Sequence, residues 1–407
     1  MSEQQRPGLN IVCVGAGPAG LYFAICTKLR NPAHRITIVE RNREGVSFGW
    51  GFGFWDDVLD MLYANDPVTA RQVEAATGLW DGIEVHIGGR PTAYLGGYGL
   101  SMGRQRLLDI LVARARELDI ELQFERTVND LSEFADADLI VSGDGINSGL
   151  RTRWADDFGT TVESGRNKYL WLGTYKVFDA FRYIFEQTPA GWIWLHCYYL
   201  DAGRSTCIVE CPPETWRGLG FDELGPKECL AELERIFSKH LDGHELISQM
   251  HDVDTASWLQ GKQVSNTTWY KDNVVLLGDA AHSTHFSVGS GTRLAIGDSV
   301  ALAEKVDEYG ADVTLALKAY DAERRPVLED VQRQALASMR FLEKVPENME
   351  LDSVQFAYAI STRLGSRGAK WRYYLHLATQ VRALRSLRLK LTAMRRSRRV
   401  RARASMR

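Results

Sequence analysis

The chain has 407 residues, a formal net charge of -3, 45% hydrophobic and 25% charged residues, and a mean hydropathy of -0.24. That balance excludes a disordered, collagenous or disulfide-stapled chain and supplies mass for two or three domains. No run of about 18 uncharged apolar residues reads as a membrane span; no apolar segment before the first strand reads as a secretory leader; and six scattered cysteines without a CxxC pair read as free thiols of a reducing cytoplasm.

In chain order, residues 10–14 read as a short buried strand. A glycine-rich turn follows, then a helix from Pro18 to about Leu29 and a second strand at 35–40 (RITIVE). This is a β-α-β unit of about 30 residues, the opening of a dinucleotide fold. Residues 48–55 (FGWGFGFW) alternate glycine and aromatic residues, and 105–119 read as a long amphipathic helix. Strands are expected at 121–125 and 137–142. From Lys168 to about Val264 the composition turns to Trp, Tyr, Val and Thr in alternation, which predicts an antiparallel sheet. One helix is expected inside it, over 226–241. Residues 273–277 (NVVLL) return to a parallel-type strand, followed by a Gly-rich loop and a helix from Gly291 to about Val306. Nucleotide-binding signals thus stand at both ends of a sheet-rich middle, which predicts a discontinuous domain.

Four motifs carry chemistry. Gly15-Ala16-Gly17-Pro18-Ala19-Gly20 follows a strand and opens a helix, with Glu40 at the end of the next strand. Gly15 allows the tight turn, Gly17 lets a diphosphate approach the backbone, and Gly20 permits close helix packing. The helix start offers N–H groups and the positive end of its dipole. Glu40 can accept ribose hydroxyls, which fits FAD or NAD better than NADP. The second motif is Gly278-Asp279, continuing through Gly289, Gly291 and Thr292 to Asp298. The third is Asp144-Gly145 after a strand, and the fourth is Arg104 at the start of a helix. Alone, a Gly-Asp or Asp-Gly pair is often only a turn.

Together these segments resemble the single-component flavoprotein aromatic hydroxylases, the para-hydroxybenzoate hydroxylase family, over roughly residues 10–345. The resemblance implies an α/β fold: a Rossmann-like, glutathione-reductase-type FAD-binding domain with an interleaved antiparallel-sheet substrate domain and C-terminal helices. The expected division is 8–75, 102–167 and 269–340 for the FAD-binding domain, 76–101 and 168–268 for the substrate domain, and 341–407 for a helical, Arg-rich tail. It assigns Gly15, Gly17, Ala19, Gly20, Glu40, Arg41, Arg104, Asp144, Gly145, Asp279, Gly289, Gly291 and Thr292 to the cofactor. The segments GRNKYLWLGT (165–174), TCIVEC (206–211), ETWR (214–217) and GDAAHSTHFSVGSGT (278–292) resemble the subfamily that hydroxylates salicylyl-CoA and anthraniloyl-CoA. The common family pattern has Pro where this chain has His285-Phe286, a departure which that subfamily shares.

The resemblance implies FAD reduced by NADH or NADPH, then O2, and oxygen transfer to an aromatic ring through a flavin hydroperoxide. The substrate implied is an aryl-CoA thioester. A tryptophan- or indole-type free substrate is the alternative, and a non-catalytic flavin-binding protein the alternative of another class. His285 beside the flavin is the candidate catalytic residue. Trp192, Trp194, His196 and Phe286 are candidates for the aryl pocket, although aromatics in a sheet are commonly core. Trp192-Ile193-Trp194 also invites a flavin halogenase, but Leu195-His196 stands where Ile-Pro should follow, and no lysine occurs between Lys28 and Lys168. The histidine spacings predict no metal site. From Ser353 to Arg407 there are 15 Lys and Arg and no acid. This tail reads as a solvated or self-docking element or as an arm toward an anionic substrate or partner, with its last residues, 395–407, frayed. Neither nucleic acid nor membrane is an expected partner, and the chain is expected to act as a monomer or homodimer.

Overall fold

Two large sheets carry the computed structural model, which describes residues 7–47, 49–250, 253–254, 257–364 and 370–404. Phe48 of the glycine-aromatic segment and residues 405–407 of the tail lie outside that range. The first sheet has six strands. In spatial order they are Tyr270–Lys271, Val274–Leu276, Leu139–Ser142, Asn10–Val14, Arg35–Val39 and Glu121–Gln123. All pairings are parallel except the first. Its central strand Asn10–Val14 is apolar and buried after Asn10, as a strand covered on both faces must be. The helix Pro18–Arg30 covers one face and is buried over ten consecutive residues, Pro18 to Thr27. The helix Gly291–Tyr309 packs beside it in the same core.

The second sheet has nine strands and includes segments from both sides of the first. Gly51–Phe54, Gly78–Ile87 and Ala93–Gly103 form one edge, and Phe181–Thr188, Gly191–Asp201, Arg204–Cys211 and Thr161–Thr174 continue it. The last of these runs 14 residues, because its first half pairs with Leu259–Ser265 and its second half with Arg204–Cys211. The antiparallel texture therefore starts at Thr161, earlier than Lys168. Alternation divides the sheet. Leu170, Leu172, Ile184, Ile193, Leu195, Cys197, Cys207 and Val209 face a closed apolar core under the helix Pro226–Ile236. The opposite face carries Tyr169, Tyr183, Trp194, His196 and Glu210, since directly paired residues share a face and Trp194 pairs with Glu210, His196 with Tyr183, and Glu210 with Tyr169. All six cysteines are buried thiols.

Two expected elements differ. The helix expected over 226–241 stops at Ile236. A short turn Ser238–Leu241 follows, and Asp242 takes a left-handed conformation with φ 50°. The tail does not fray over 395–404: it is one helix, Arg382–Ala404. Its inner face lies on the second sheet. Arg385 stacks over the Tyr94 ring at 3.4 Å, and Arg388 donates to Thr379 Oγ1 at 2.6 Å over Gly96, where any side chain would strike the guanidinium. At its far end Arg403 is buried and donates to Asp56 Oδ1 and Asp60 Oδ1, each at 2.8 Å. Asp56 is itself buried and also accepts from the Tyr98 hydroxyl. Removing one partner of such a pair leaves an uncompensated buried charge. Arg403→Met is therefore expected to lower the unfolding free energy by about 3 kcal/mol, measured by urea denaturation. An unchanged midpoint would show that the helix end is not anchored there.

Candidate active site

The C-terminal ends of three parallel strands converge where side chains have no room. Gly15 has φ +105°, and a Cβ there would lie 2.5 Å from Gly143 O. A Cβ at Gly20 would lie 2.3 Å from Gly15 O, and one at Gly278 would lie 2.9 Å from Ala19 Cβ. Gly17 differs from these. Its nearest neighbour would be Gly143 O at 3.9 Å, so protein packing does not explain the missing side chain. Gly17 is the N-cap of Pro18–Arg30, and no side chain caps that helix. Gly291, at the start of the second long helix, likewise has nothing within 4 Å of its Cβ direction.

Glu40 sits opposite this turn. Its carboxylate accepts from Ala16 N at 2.9 Å through Oε2 and from Asn42 N at 2.9 Å through Oε1, which orders it at the strand end. On the other side, Arg104 and Asp279 approach each other, and neither side chain makes a hydrogen bond among the described residues. Burial draws the Arg104 guanidinium down, with Asp279 opposing. Burial raises the Asp279 carboxyl, with Arg104 the main opposing charge. Arg151 donates to Ile146 O at 2.6 Å and Ala280 O at 3.2 Å, tying the Asp144-Gly145 segment to the Gly278-Asp279 turn.

These features fit FAD. An uncapped helix start behind an open Gly17, an ordered acid at the second strand end, and an acid and a base without protein partners are what a dinucleotide would engage. Gly289, Gly291 and Thr292 stand where the second long helix begins. Three residues have other occupations. Asp144 accepts from Ser142 Oγ at 2.6 Å and Gly149 N at 2.9 Å, shaping its own turn. Ala19 is packed against Gly278, with its carbonyl accepting from Ser299 Oγ at 2.8 Å. Arg41 is exposed.

A second cluster lies on the polar face of the second sheet. Glu210, 1% exposed, accepts from Asn167 Nδ2 at 2.8 Å and Trp194 Nε1 at 3.1 Å, and its Oε2 lies 3.1 Å from His196 Nε2. Burial raises its carboxyl, but the hydrogen bonds from His196 and Asn167 and the nearby His285 outweigh that and hold it below the usual range. Phe286 touches Tyr169, His196 and His285, with ring centroids 4.7, 5.6 and 4.2 Å apart. Tyr183 meets His196 edge-on at 5.1 Å. The structure thus brings together His196, His285 and Phe286 from the sequence-derived set. Trp194 lies beneath them as a donor to Glu210 and is also buried in the apolar cluster with Leu342 and Phe356, against whose edge Trp192 packs. Sequence reasoning passed over Glu210, Asn167, Tyr169, Tyr183 and Arg363. The signal for Glu210 was a lone acid inside the apolar run CIVEC.

Two outcomes follow from this geometry. Gly17→Val would fill the space left for a diphosphate without meeting protein atoms, so the variant is expected to fold but purify colourless; a fully loaded yellow protein would refute the assignment. Burial pushes His285 down to about 4, with Glu210 opposing and His196 and Arg363 adding to the shift. Between pH 6.5 and about 4 the unfolded chain binds a proton there that the folded chain refuses. Stability therefore falls as pH drops through that window, by up to about 1.4 kcal/mol per pH unit. His285→Gln is expected to flatten this slope in urea denaturation at pH 7, 6 and 5.

Comparison with known proteins agrees with the geometry. Residues 114–335 match the family described as FAD binding domain. A salicyloyl-CoA 5-hydroxylase from a Streptomyces species is 37% identical over 371 residues, covering 88% of this chain and 71% of that protein. The 3-hydroxy-4-methyl-anthranilyl-(aryl-carrier protein) 5-monooxygenase of Streptosporangium sibiricum is 32% identical, covering 83% of this chain and 90% of that protein. Protodeoxyviolaceinate monooxygenase of Chromobacterium violaceum is 30% identical, covering 87% and 94%. Among solved structures, 2-methyl-3-hydroxypyridine-5-carboxylic acid oxygenase superposes with a TM-score of 0.68 at 20% identity, covering 84% of this chain and 94% of that one.

Proposed function

The chain belongs to the FAD-binding domain family as an FAD-dependent aromatic monooxygenase, and from that premise we propose that it hydroxylates the ring of an aryl-CoA thioester at the expense of NADH or NADPH and O2. The observation that carries the reading is the loop 278–289, which leads from the FAD cradle at Asp279 to His285 and Phe286 in an aromatic cluster around one buried carboxylate, Glu210. Two similar proteins act, by name, on aryl thioesters. In both names the oxygen enters at ring position 5, para to the hydroxyl or amino group that neighbours the thioester.

Bound FAD supplies the transfer of one oxygen atom from O2 to the ring. The chain's own part is positioning, exclusion of water and control of protons. Gly17 and the first turn of Pro18–Arg30 would hold the diphosphate, Glu40 the ribose, and Arg104 and Asp279 the middle of the cofactor. Phe286, Tyr169 and Tyr183 would pack the substrate ring, and His285, neutral at physiological pH, would border it. CoA carries several phosphate charges. The outward arginines of Arg382–Ala404, including Arg395 and Arg398, are available to them, whereas Arg403 is committed to Asp56.

The test is oxidation of NADH and NADPH by the yellow protein with product mass, run on salicyloyl-CoA, anthraniloyl-CoA, free salicylate and tryptophan. A product heavier by one oxygen from a CoA thioester alone is expected. Turnover only with tryptophan or free salicylate would discard the thioester reading and keep the monooxygenase. If the outer arginines hold CoA, Arg395→Glu with Arg398→Glu raises the Michaelis constant for the thioester and weakens its salt dependence; unchanged values remove the helix from substrate binding.

A further inference from the structure

The protonation geometry of His196 is set by groups whose hydrogen-bonding polarity cannot change. Trp194 Nε1 is a donor only, and the Asn167 contact to Glu210 is made by its NH2 group. An ionised carboxylate only accepts. The nitrogen of His196 that meets Glu210, Nε2 at 3.1 Å, must therefore carry the proton. In the neutral ring the other nitrogen, Nδ1, is the acceptor. Nδ1 has no partner among the described residues, yet it is not among the buried orphan atoms sealed from solvent. A bare nitrogen backed by a buried carboxylate is a proton acceptor of fixed aim.

The neighbouring histidine is set the opposite way. Arg363 can only donate, and its Nε lies 2.8 Å from Ser338 Oγ. Ser338 Oγ is 2.7 Å from Ser287 Oγ, which is 2.7 Å from His285 Nδ1. Ser287 N donates to His285 Nδ1 at 3.4 Å, so Nδ1 accepts and Nε2 of the neutral ring holds the N–H. His285 has room only because residue 261 is glycine: a Cβ there would lie 2.8 Å from the ring. The charged and titratable groups facing His196 are thus Glu210 on the next strand, Tyr183 and Tyr169 on the same sheet, and His285 and Arg363 from the loop and helix packed over it.

We infer that His196 Nδ1 takes the proton of a ring hydroxyl of the substrate, with Glu210 as the positioning residue that balances the resulting imidazolium. The inference rests on the hydroxylase reading above and deepens it. The O–H bond breaks, the N–H bond to His196 forms, and the electron pair stays on the ring oxygen. That pair raises electron density at the para carbon, where the monooxygenase activity adds oxygen. The hydrogen of that carbon then leaves as a proton, and His196 returns its proton to the substituent. The site would thereby select aromatic rings bearing a proton-donating substituent over plain aryl thioesters.

The experiment uses FAD-loaded protein with salicyloyl-CoA and, lacking the hydroxyl, benzoyl-CoA. Ultraviolet difference spectra from pH 6 to 9 read ionisation of the bound phenol, and product per NAD(P)H oxidised reads coupling. Wild type is expected to ionise bound salicyloyl-CoA at lower pH than in solution, and to leave benzoyl-CoA unhydroxylated. Glu210→Gln is expected to raise the ionisation midpoint by about one pH unit and to lower coupling about tenfold at pH 7, with partial recovery at pH 9 and little change in the Michaelis constant. His196→Gln, which can still donate to Glu210, is expected to lose the pH response while keeping FAD, and it serves if Glu210→Gln does not fold. Midpoints and coupling within twofold of wild type in His196→Gln, or hydroxylation of benzoyl-CoA at a comparable rate, overturn the inference. If salicyloyl-CoA is not hydroxylated but salicylate or tryptophan is, the thioester reading falls separately, and the same variants on that ring decide the role of His196. If no ring is hydroxylated, the reading and the inference both fall.

Discussion

A contact without side chains governs the molecule. Gly15, against the Gly143 carbonyl, and Gly20, against the Gly15 carbonyl, bring three backbone segments closer than any Cβ allows, and Gly278 does the same against Ala19. Glycine is unfavourable within regular structure, yet here it sets the distance between the first strand end, the first helix and the strand that returns late in the chain. Substituting any of the packed glycines would widen that geometry before it affected a single polar contact.

The second sheet solves a different problem, that of keeping a charge in a dry place. Ion pairing is one solution, but a buried cation brings its own desolvation penalty. Glu210 is held instead by the N–H donors of Asn167, Trp194 and His196, from the two strands that flank its own. A fully satisfied network of this kind is rigid, because every donor has one place to go. The apolar back face, closed by leucine, isoleucine, valine and cysteine, fixes the strand register on which those three donors depend. Its composition therefore bears on the carboxylate that it never touches.

How much of this was legible in the sequence depends on the range of the information. The glycine turn, its strand, its helix and Glu40 lie within one local unit, and their spacing carried their meaning. The strand at 273–277 could be placed in the first sheet because Gly278-Asp279 matched the first motif in kind. Glu210 could not be read in the same way. CIVEC looks like a core strand, and the partners that make its acid intelligible stand 14, 16 and 43 residues away, on registers that only the folded sheet reveals. The tail shows the opposite failure. Its charge run was conspicuous, but nothing local tells which arginine finds a carboxylate 347 residues earlier, so a helix anchored at its far end read as a fraying one.

The order of strands in the first sheet also has a consequence for how the protein is made. Leu139–Ser142 lies between Asn10–Val14 and Val274–Leu276, so the cradle has only part of its wall until residue 279 has left the ribosome. At roughly 5–20 residues per second, the nascent N-terminal unit waits about 7–27 s with one flank of its sheet uncovered. Cofactor capture is then a late event in biosynthesis, and during that interval the unpaired edge at Leu139–Ser142 is the surface most in need of a chaperone.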